Sequence, residues 1–278
     1  MIEEKYINPF TDFGFKKLFG EEISKDLLID FLNQLLPSEH KITELKFKQT
    51  ENLGSTEIDR KAIFDIYCEN ENGEKFIVEL QKAKQNFFKD RMVYYSTFPI
   101  QEQAKKGDWD FKLTAVYCIG ILDFIFDDEK EQKDKYIHYV ALTEQETKKV
   151  FFNKLHYIYL EMPKFNKKEE ELITEIDKWS YFIKNLSSLD HIPAKLQNEV
   201  FIKAFEIAEI AKFDRKQLEE YEQSLKYYRD IKNVVDTSFE EGRKEERILL
   251  AKEFIKNGVS IEIVMKSTGL TKEEIENL

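Results

Sequence analysis

The spacing of apolar positions changes several times along the chain, and each change predicts an element. Ile23, Leu27, Leu28, Phe31, Leu32, Leu35 and Leu36 recur at helical spacing, and Pro37 ends that run. Residues 42–50 alternate like a strand. Residues 62–68 and 75–81 are two strongly β-prone runs joined by a short turn. Phe88, Met92, Tyr95 and Phe98 return to helical spacing within residues 86–106, where Pro99 is expected to kink or break the helix. Residues 113–122 read as a buried strand, 127–134 as an acidic loop, and 136–142 and 155–162 as two more strands. The sum is an α/β fold: a mixed central sheet flanked by helices, with an all-helical C-terminal extension.

Beyond Pro163 the strand signals vanish. Trp179, Phe182, Ile183 and Leu186 form one apolar stripe, further stripes follow to residue 213, and residues 218–235 make another helix. From Ser238 a charged helix leads to Asn257-Gly258, a helix stop. Ser260 is placed to cap a second helix, and Thr271 to Glu274 form a capping box for a last one. The expected division is residues 1–163, 164–237 and 238–278. The tail fits a helix-turn-helix pattern or a plain helical hairpin. The acidic last helix (Glu273, Glu274, Glu276) favours the hairpin, because phosphates would repel it.

Composition narrows the class. The 278 residues are 42% hydrophobic and 35% charged, with 23 Phe, 13 Tyr, 9 Gly and 5 Pro, which supports a real core and excludes collagen-like and disordered chains. A net charge of −11 argues against sequence-blind nucleic-acid binding over the whole surface, though not against a local basic groove. Cys68 and Cys118 sit in apolar runs and read as core. The four histidines (His40, His138, His156, His191) share no motif, so a structural zinc is not expected. Few cysteines and an acidic start without an apolar stretch point to the reducing cytoplasm. The longest apolar run is too short to span a membrane. No catalytic triad or phosphate-cradling glycine loop is present.

The candidate chemistry lies in the two β-prone runs. Asp65 sits in the first, and Glu79 and Gln81 in the second. Carboxylates in a central hairpin need a partner, and a divalent metal is one. A two-residue Asn72-Gly73 loop would put Asp65 and Glu79 on opposite faces. A three-residue Glu71-Asn72-Gly73 loop, with Gly73 left-handed, would put Asp65 across from Glu79 with Gln81 on the same face. Both loops fit the sequence, and the chemistry favours the second.

Four stretches together resemble the recombination-promoting nuclease (Rpn) and transposase family of the PD-(D/E)XK superfamily. They are the run from Thr11 to Gly20 (TDFGFKKLFG), the run from Arg60 to Tyr67 followed by Lys75 to Gln81, the run from Phe88 to Tyr95 (FKDRMVYY) with Gln103 and Lys106-Gly107, and the tail Asn257-Gly258-Val259-Ser260 with Thr268-Gly269-Leu270-Thr271. The resemblance implies a metal-dependent DNA endonuclease using Mg²⁺ or Mn²⁺, without an organic cofactor, tied to recombination, transposition or phage defence. Asp65 and Glu79 match the metal-holding carboxylates. Asp12 either reaches the metal through water or N-caps the first helix. Gln81 stands where the superfamily usually has lysine, so a catalytically weak or inactive module binding DNA or a protein is the alternative. Lys61, on the same parity as Asp65, is the preferred substitute cation, ahead of Lys82, Lys84 and Arg91. Lys82 and Lys84 would face the other way if the strand continued. Lys16, Arg91 and Tyr94 are the candidate DNA contacts, unless Tyr94 simply packs. Cutting both strands would call for a homodimer.

Overall fold

The computed structural model describes residues 4–37, 40–52, 62–104, 110–126 and 134–278. The first two helices are α1 (Asp12–Phe19), which buries Phe15, Leu18 and Phe19, and α2 (Lys25–Leu35), which buries the predicted stripe from Leu27 to Leu35, while Ile23 precedes α2 and is exposed. Short strands follow: β1 (Leu45–Phe47), β2 (Glu51–Asn52), β3 (Ala62–Ile63), β4 (Ile66–Asn70) and the fully buried β5 (Lys75–Gln81). Next come α3 (Phe88–Glu102), β6 (Val116–Leu122), β7 (Ile137–Thr143) and β8 (Val150–Glu161). Among the described residues the main sheet has six strands in the order β1-β4-β5-β6-β8-β7. Its centre, β5, β6 and β8, is parallel, and the outer strands run antiparallel.

The β4–β5 connection takes the three-residue form. Glu69 pairs with Lys75, the Asn70 N–H donates to the Glu74 carbonyl (3.0 Å), and Gly73 is left-handed at φ 76°. Only a residue without Cβ adopts that conformation at little cost. Ile66 therefore pairs with Val78, and Asp65 lies opposite Glu79.

Several elements depart from the sequence expectation. The run 62–68 is not one strand: it breaks at Phe64 and Asp65, between β3 and β4. The run 42–50 contributes only three ladder residues. Helix α3 continues three residues past Pro99, so the proline does not end it. The segment expected as an acidic loop falls largely outside the described residues.

Helices α4 (Glu175–Asn185) and α5 (Glu199–Ala208) pack into the same core as the sheet. Trp179, Phe182, Phe201 and Phe205 join Phe15, Phe19, Phe31 and Ile158 there. A second core on the other side of the sheet holds Phe64, Tyr67, Ile77, Phe88, Met92 and Cys118. Both cysteines are buried and free, and burial pushes their thiols up.

One helix, α6 (Arg215–Lys256), covers 42 residues where two were expected. The chain forms two compact units, 1–228 and 229–278. In the second, the end of α6 packs with α7 (Ile261–Thr268) and α8 (Lys272–Glu276) around Ala251, Val264, Leu270 and Ile275. The Thr271/Glu274 capping box is formed. Ser260 occupies the N-cap of α7 without a side-chain bond. Among the described residues no helix is long and apolar enough to cross a membrane.

Helix α1 depends on Gly14. A Cβ there would overlap the Asn8 carbonyl oxygen and lie 2.8 Å from Thr11 Oγ1. Alanine in place of glycine inside a helix normally stabilises by about 1 kcal/mol. At this position Gly14→Ala should instead destabilise by about 1–3 kcal/mol through overpacking. Urea denaturation of the two proteins checks this, and a more stable variant would refute the close approach.

Candidate active site

The break between β3 and β4 is what gives Asp65 its position. Phe64 bonds back to Thr50 (2.9 Å) and Tyr67 accepts from Lys48 (2.8 Å), so regular pairing lapses on both strands at this level. Released from the ladder, Asp65 bonds to β5 through side chains. The Leu80 N–H donates to Asp65 Oδ2 (2.7 Å), and the Asp65 N–H donates to Glu79 Oε1 (3.1 Å). The two carboxylates are thereby held side by side.

Both titrate abnormally. Burial pushes the Asp65 carboxyl up. The Asp12 charge adds to this, and the Leu80 hydrogen bond, Lys16 and Lys82 oppose it. Burial, then the charge of Asp65, pushes Glu79 up to about 8, while its bond from Asp65 and the charge of Arg91 act the other way. Glu79 is only 5% exposed. The half-buried Asp65 and the buried Glu79 both resist ionisation despite the cations near them, and hard oxygen donors of this kind fit a divalent cation. Among the described residues no three His, Cys, Asp or Glu side chains converge into a ready-made cage. An ion here would need water or substrate oxygens besides Asp65 and Glu79, as Mg²⁺ commonly does.

Asp12 is exposed and is the first residue of α1, not its cap. Thr11 is the cap, accepting from the Gly14 N–H at 2.9 Å. The Asp12 carboxylate instead pairs with Lys82 at 2.7 Å. Lys82 would face the other way only if the strand continued to it. Because β5 ends at Gln81, strand parity does not extend to it. Its ammonium turns toward Asp12 and lies 5.1 Å from the ring centre of Tyr227, close enough to Asp65 to act on its charge. Lys61 lies outside the described residues. Lys16 is exposed on α1, and its charge also reaches Asp65.

Gln81 is 8% exposed. Its amide nitrogen donates to the Ala83 carbonyl (3.1 Å), and its oxygen accepts from Arg91 Nη2. Arg91 Nη1 donates to Gln85 Oε1 at 2.6 Å. The guanidinium lies 5.2 Å from the Phe88 ring centre and 5.7 Å from that of Tyr95. Tyr94 points elsewhere, edge-on to Phe98 at 5.1 Å, and is 42% exposed. Tyr95 is the residue that sequence reasoning missed. It was read only as part of a core stripe, yet its phenol is pushed up by burial and then by the charge of Glu79. The available signal was its i, i+4 spacing from Arg91, which lets a cation rest on an aromatic ring within one helix face.

The histidines stay outside the site: His138 is buried against Glu161 (2.9 Å), His156 stacks on Tyr117, His40 lies near Glu74, and His191 is exposed.

The raised Glu79 pKa sets a pH dependence. From about 4.5 to about 8 the folded protein holds a proton that the unfolded chain has released. Stability of the metal-free protein should therefore fall as pH rises through that window. Glu79→Gln removes the ionisation and keeps an oxygen for the Asp65 N–H. In chelator the variant should exceed wild type in stability at pH 8, with the gap narrowing toward pH 5. Equal stabilities at both pH values, measured by urea denaturation, would contradict the buried, uncompensated pair.

Comparison with curated proteins gives no match, and comparison with solved structures gives none either. The sequence profile of the PD-(D/E)XK nuclease family transposases matches residues 9–238, a span that takes in α1, both carboxylates, Gln81 and Arg91. With that profile covering more than half of its length, the chain belongs to the PD-(D/E)XK nuclease family transposases.

Proposed function

We propose that the protein is a metal-dependent DNA endonuclease. The observation that carries this reading is the pair of the half-buried Asp65 and the buried Glu79, held together by the Leu80 and Asp65 N–H groups in a chain of this family. Held by Asp65 and Glu79, Mg²⁺ or Mn²⁺ would supply a water of lowered pKa and positive charge against the phosphate.

The remaining work falls to the protein. The β4–β5 register keeps the two carboxylates in one place, so no reorganisation is needed when substrate arrives. Lys16 and Arg91 offer positive charge for backbone phosphates, and the exposed ring of Tyr94 can lie against the sugar–phosphate chain. Asp12 is held by Lys82 and acts on the site through charge and ordered water. Hydrolysis adds water across one ester bond. The water oxygen bonds phosphorus, the P–O ester bond breaks, and the departing oxygen takes up a proton, leaving a phosphomonoester and a hydroxyl end. One site cuts one strand, so a double-strand break requires a second copy of the chain or a second encounter. The setting is DNA recombination or transposition, or defence against invading DNA, in the cytoplasm.

Gln81 favours a second reading, in which the fold binds DNA or a protein and cuts slowly or not at all. A neutral amide brings no charge of its own to the reaction.

Supercoiled plasmid separates the two. With Mg²⁺ or Mn²⁺ the wild type should nick the plasmid, chelator should stop it, and Asp65→Ala should lower the rate by more than the roughly 10–100-fold typical of residues behind the metal ligands. An inert wild type in both metals would leave the binding reading. Equal cutting by wild type and Asp65→Ala would refute the site.

A further inference from the structure

The guanidinium of Arg91 is held in an unusual way for a surface-helix arginine. Its two hydrogen-bond partners, the side chains of Gln81 and Gln85, are neutral amides. Neither cancels its charge, as the Asp12 carboxylate does for Lys82. Two aromatic rings, Phe88 and Tyr95, fix the plane of the group. Its Nε is buried and has no hydrogen-bond partner among the described residues. A buried donor without an acceptor is uncommon in a folded protein and leaves the guanidinium incompletely satisfied by the groups around it.

Resting on the hydrolytic reading above, we propose that Arg91 is the cation that meets the scissile phosphate beside Asp65 and Glu79, and that Gln81 is the positioning residue that aims it. The amide of Gln81 suits this task. Its nitrogen is committed to the Ala83 carbonyl, so its oxygen is turned toward Arg91 Nη2. Alternation along β5 puts Gln81 on the same side of the strand as Glu79. The charge of Arg91 also acts on Glu79, which places the guanidinium within electrostatic reach of the carboxylate pair. A guanidinium so aimed has N–H groups left for the non-bridging oxygens of a phosphate, a match of planar donor to tetrahedral anion that an ammonium does not reproduce. Charge developing on those oxygens as water adds to phosphorus would be met by a donor already in place. The neutral residue at position 81 is then a consequence of where the cation resides: a lysine there would set two positive charges against each other.

Single-turnover cleavage of a short duplex in Mg²⁺ and in Mn²⁺ tests this, with thermal unfolding of each variant run alongside. Arg91→Ala should lower the cleavage rate at saturating DNA by about 10²–10³-fold, as loss of a transition-state donor does, beyond what the lost phosphate contact takes from DNA binding. Gln81→Ala should cost less, about tenfold, because it loosens the cation without removing it. The decisive variant is the double Gln81→Lys, Arg91→Ala, which brings a new cation to the vacated place. It should cut about tenfold faster than Arg91→Ala alone, a rescue that a purely structural role for Arg91 would not give. If Arg91→Ala does not fold, Arg91→Gln replaces it in both comparisons. Wild-type cleavage lost in Asp65→Ala but kept in Arg91→Ala, or a double variant no faster than Arg91→Ala, would overturn this proposal and leave the nuclease reading intact. A wild type that cuts in neither metal would overturn both.

Discussion

The exchange of hydrogen bonds between Asp65 and β5 is the constraint on which the site depends. In an ordinary antiparallel pair, residues at this level would bond backbone to backbone. Here the Leu80 N–H goes to the Asp65 carboxylate and the Asp65 N–H goes to the Glu79 carboxylate. Each acid is thus tied to the strand that carries the other, and neither can swing away to relieve their repulsion. The β4–β5 register behind this follows from the three-residue turn at Gly73. A two-residue turn would slip the pairing by one and send the acids to opposite faces. A fold that holds two acids together away from most of the solvent is destabilised by their repulsion, and on the proposed reading that instability would favour a cation joining them.

Around this pair the positive groups have different duties. Lys82 is consumed by Asp12, and together they link the end of β5 to the start of α1. Lys16, one turn further along α1, stays exposed. Arg91 reaches in from α3 on the far side, supported by amides and rings. Among the described residues the cations acting on the site therefore come from three separate places in the chain: α1, the end of β5 and α3. A chain of net charge −11 can in this way present positive charge to a phosphate at one place while its overall charge opposes indiscriminate contact with nucleic acid.

The parts that were legible in the sequence are those set by local rules. Helix α2, buried strand β6, the Gly73 turn and the Thr271 capping box follow from periodicity, apolar runs and residues with special backbone preferences. Local rules put Gly73 in the turn and Gln81 on the face of Glu79, but two loop lengths fit them equally, and only the chemistry of paired carboxylates favoured the one that sets Asp65 opposite Glu79. What was not legible depends on where pairing stops. The break at Phe64 and Asp65 has no glycine or proline to announce it, and it arises because the neighbouring strand also interrupts its ladder between Phe47 and Glu51. The direction of Lys82 hung on whether the strand continued to it, and β5 ends at Gln81, one residue short. Pro99 was overweighted. Near the end of a helix the missing N–H costs one bond, and the packing of α3 on the second core outweighs it.

The helices after Pro163 show why a change in composition need not be a change in folding unit. The first turns of α6 bear directly on α1, the helix that carries Asp12 and Lys16. The opening N–H groups of a helix have no partner within it. In α1, Thr11 satisfies that of Gly14, while Ser224 of α6 satisfies that of Phe13 at 3.1 Å. Just upstream, the Asn8 N–H donates to the buried Tyr221 hydroxyl at 2.9 Å. Tyr228, one turn on, donates to Asp123, whose own N–H bonds to the Gln81 carbonyl. Residues from opposite ends of the chain thus fix the start of α1 and the end of β5, the two places that flank the acids. The start of the helical extension is better understood as part of the active-site scaffold than as an appendage to it.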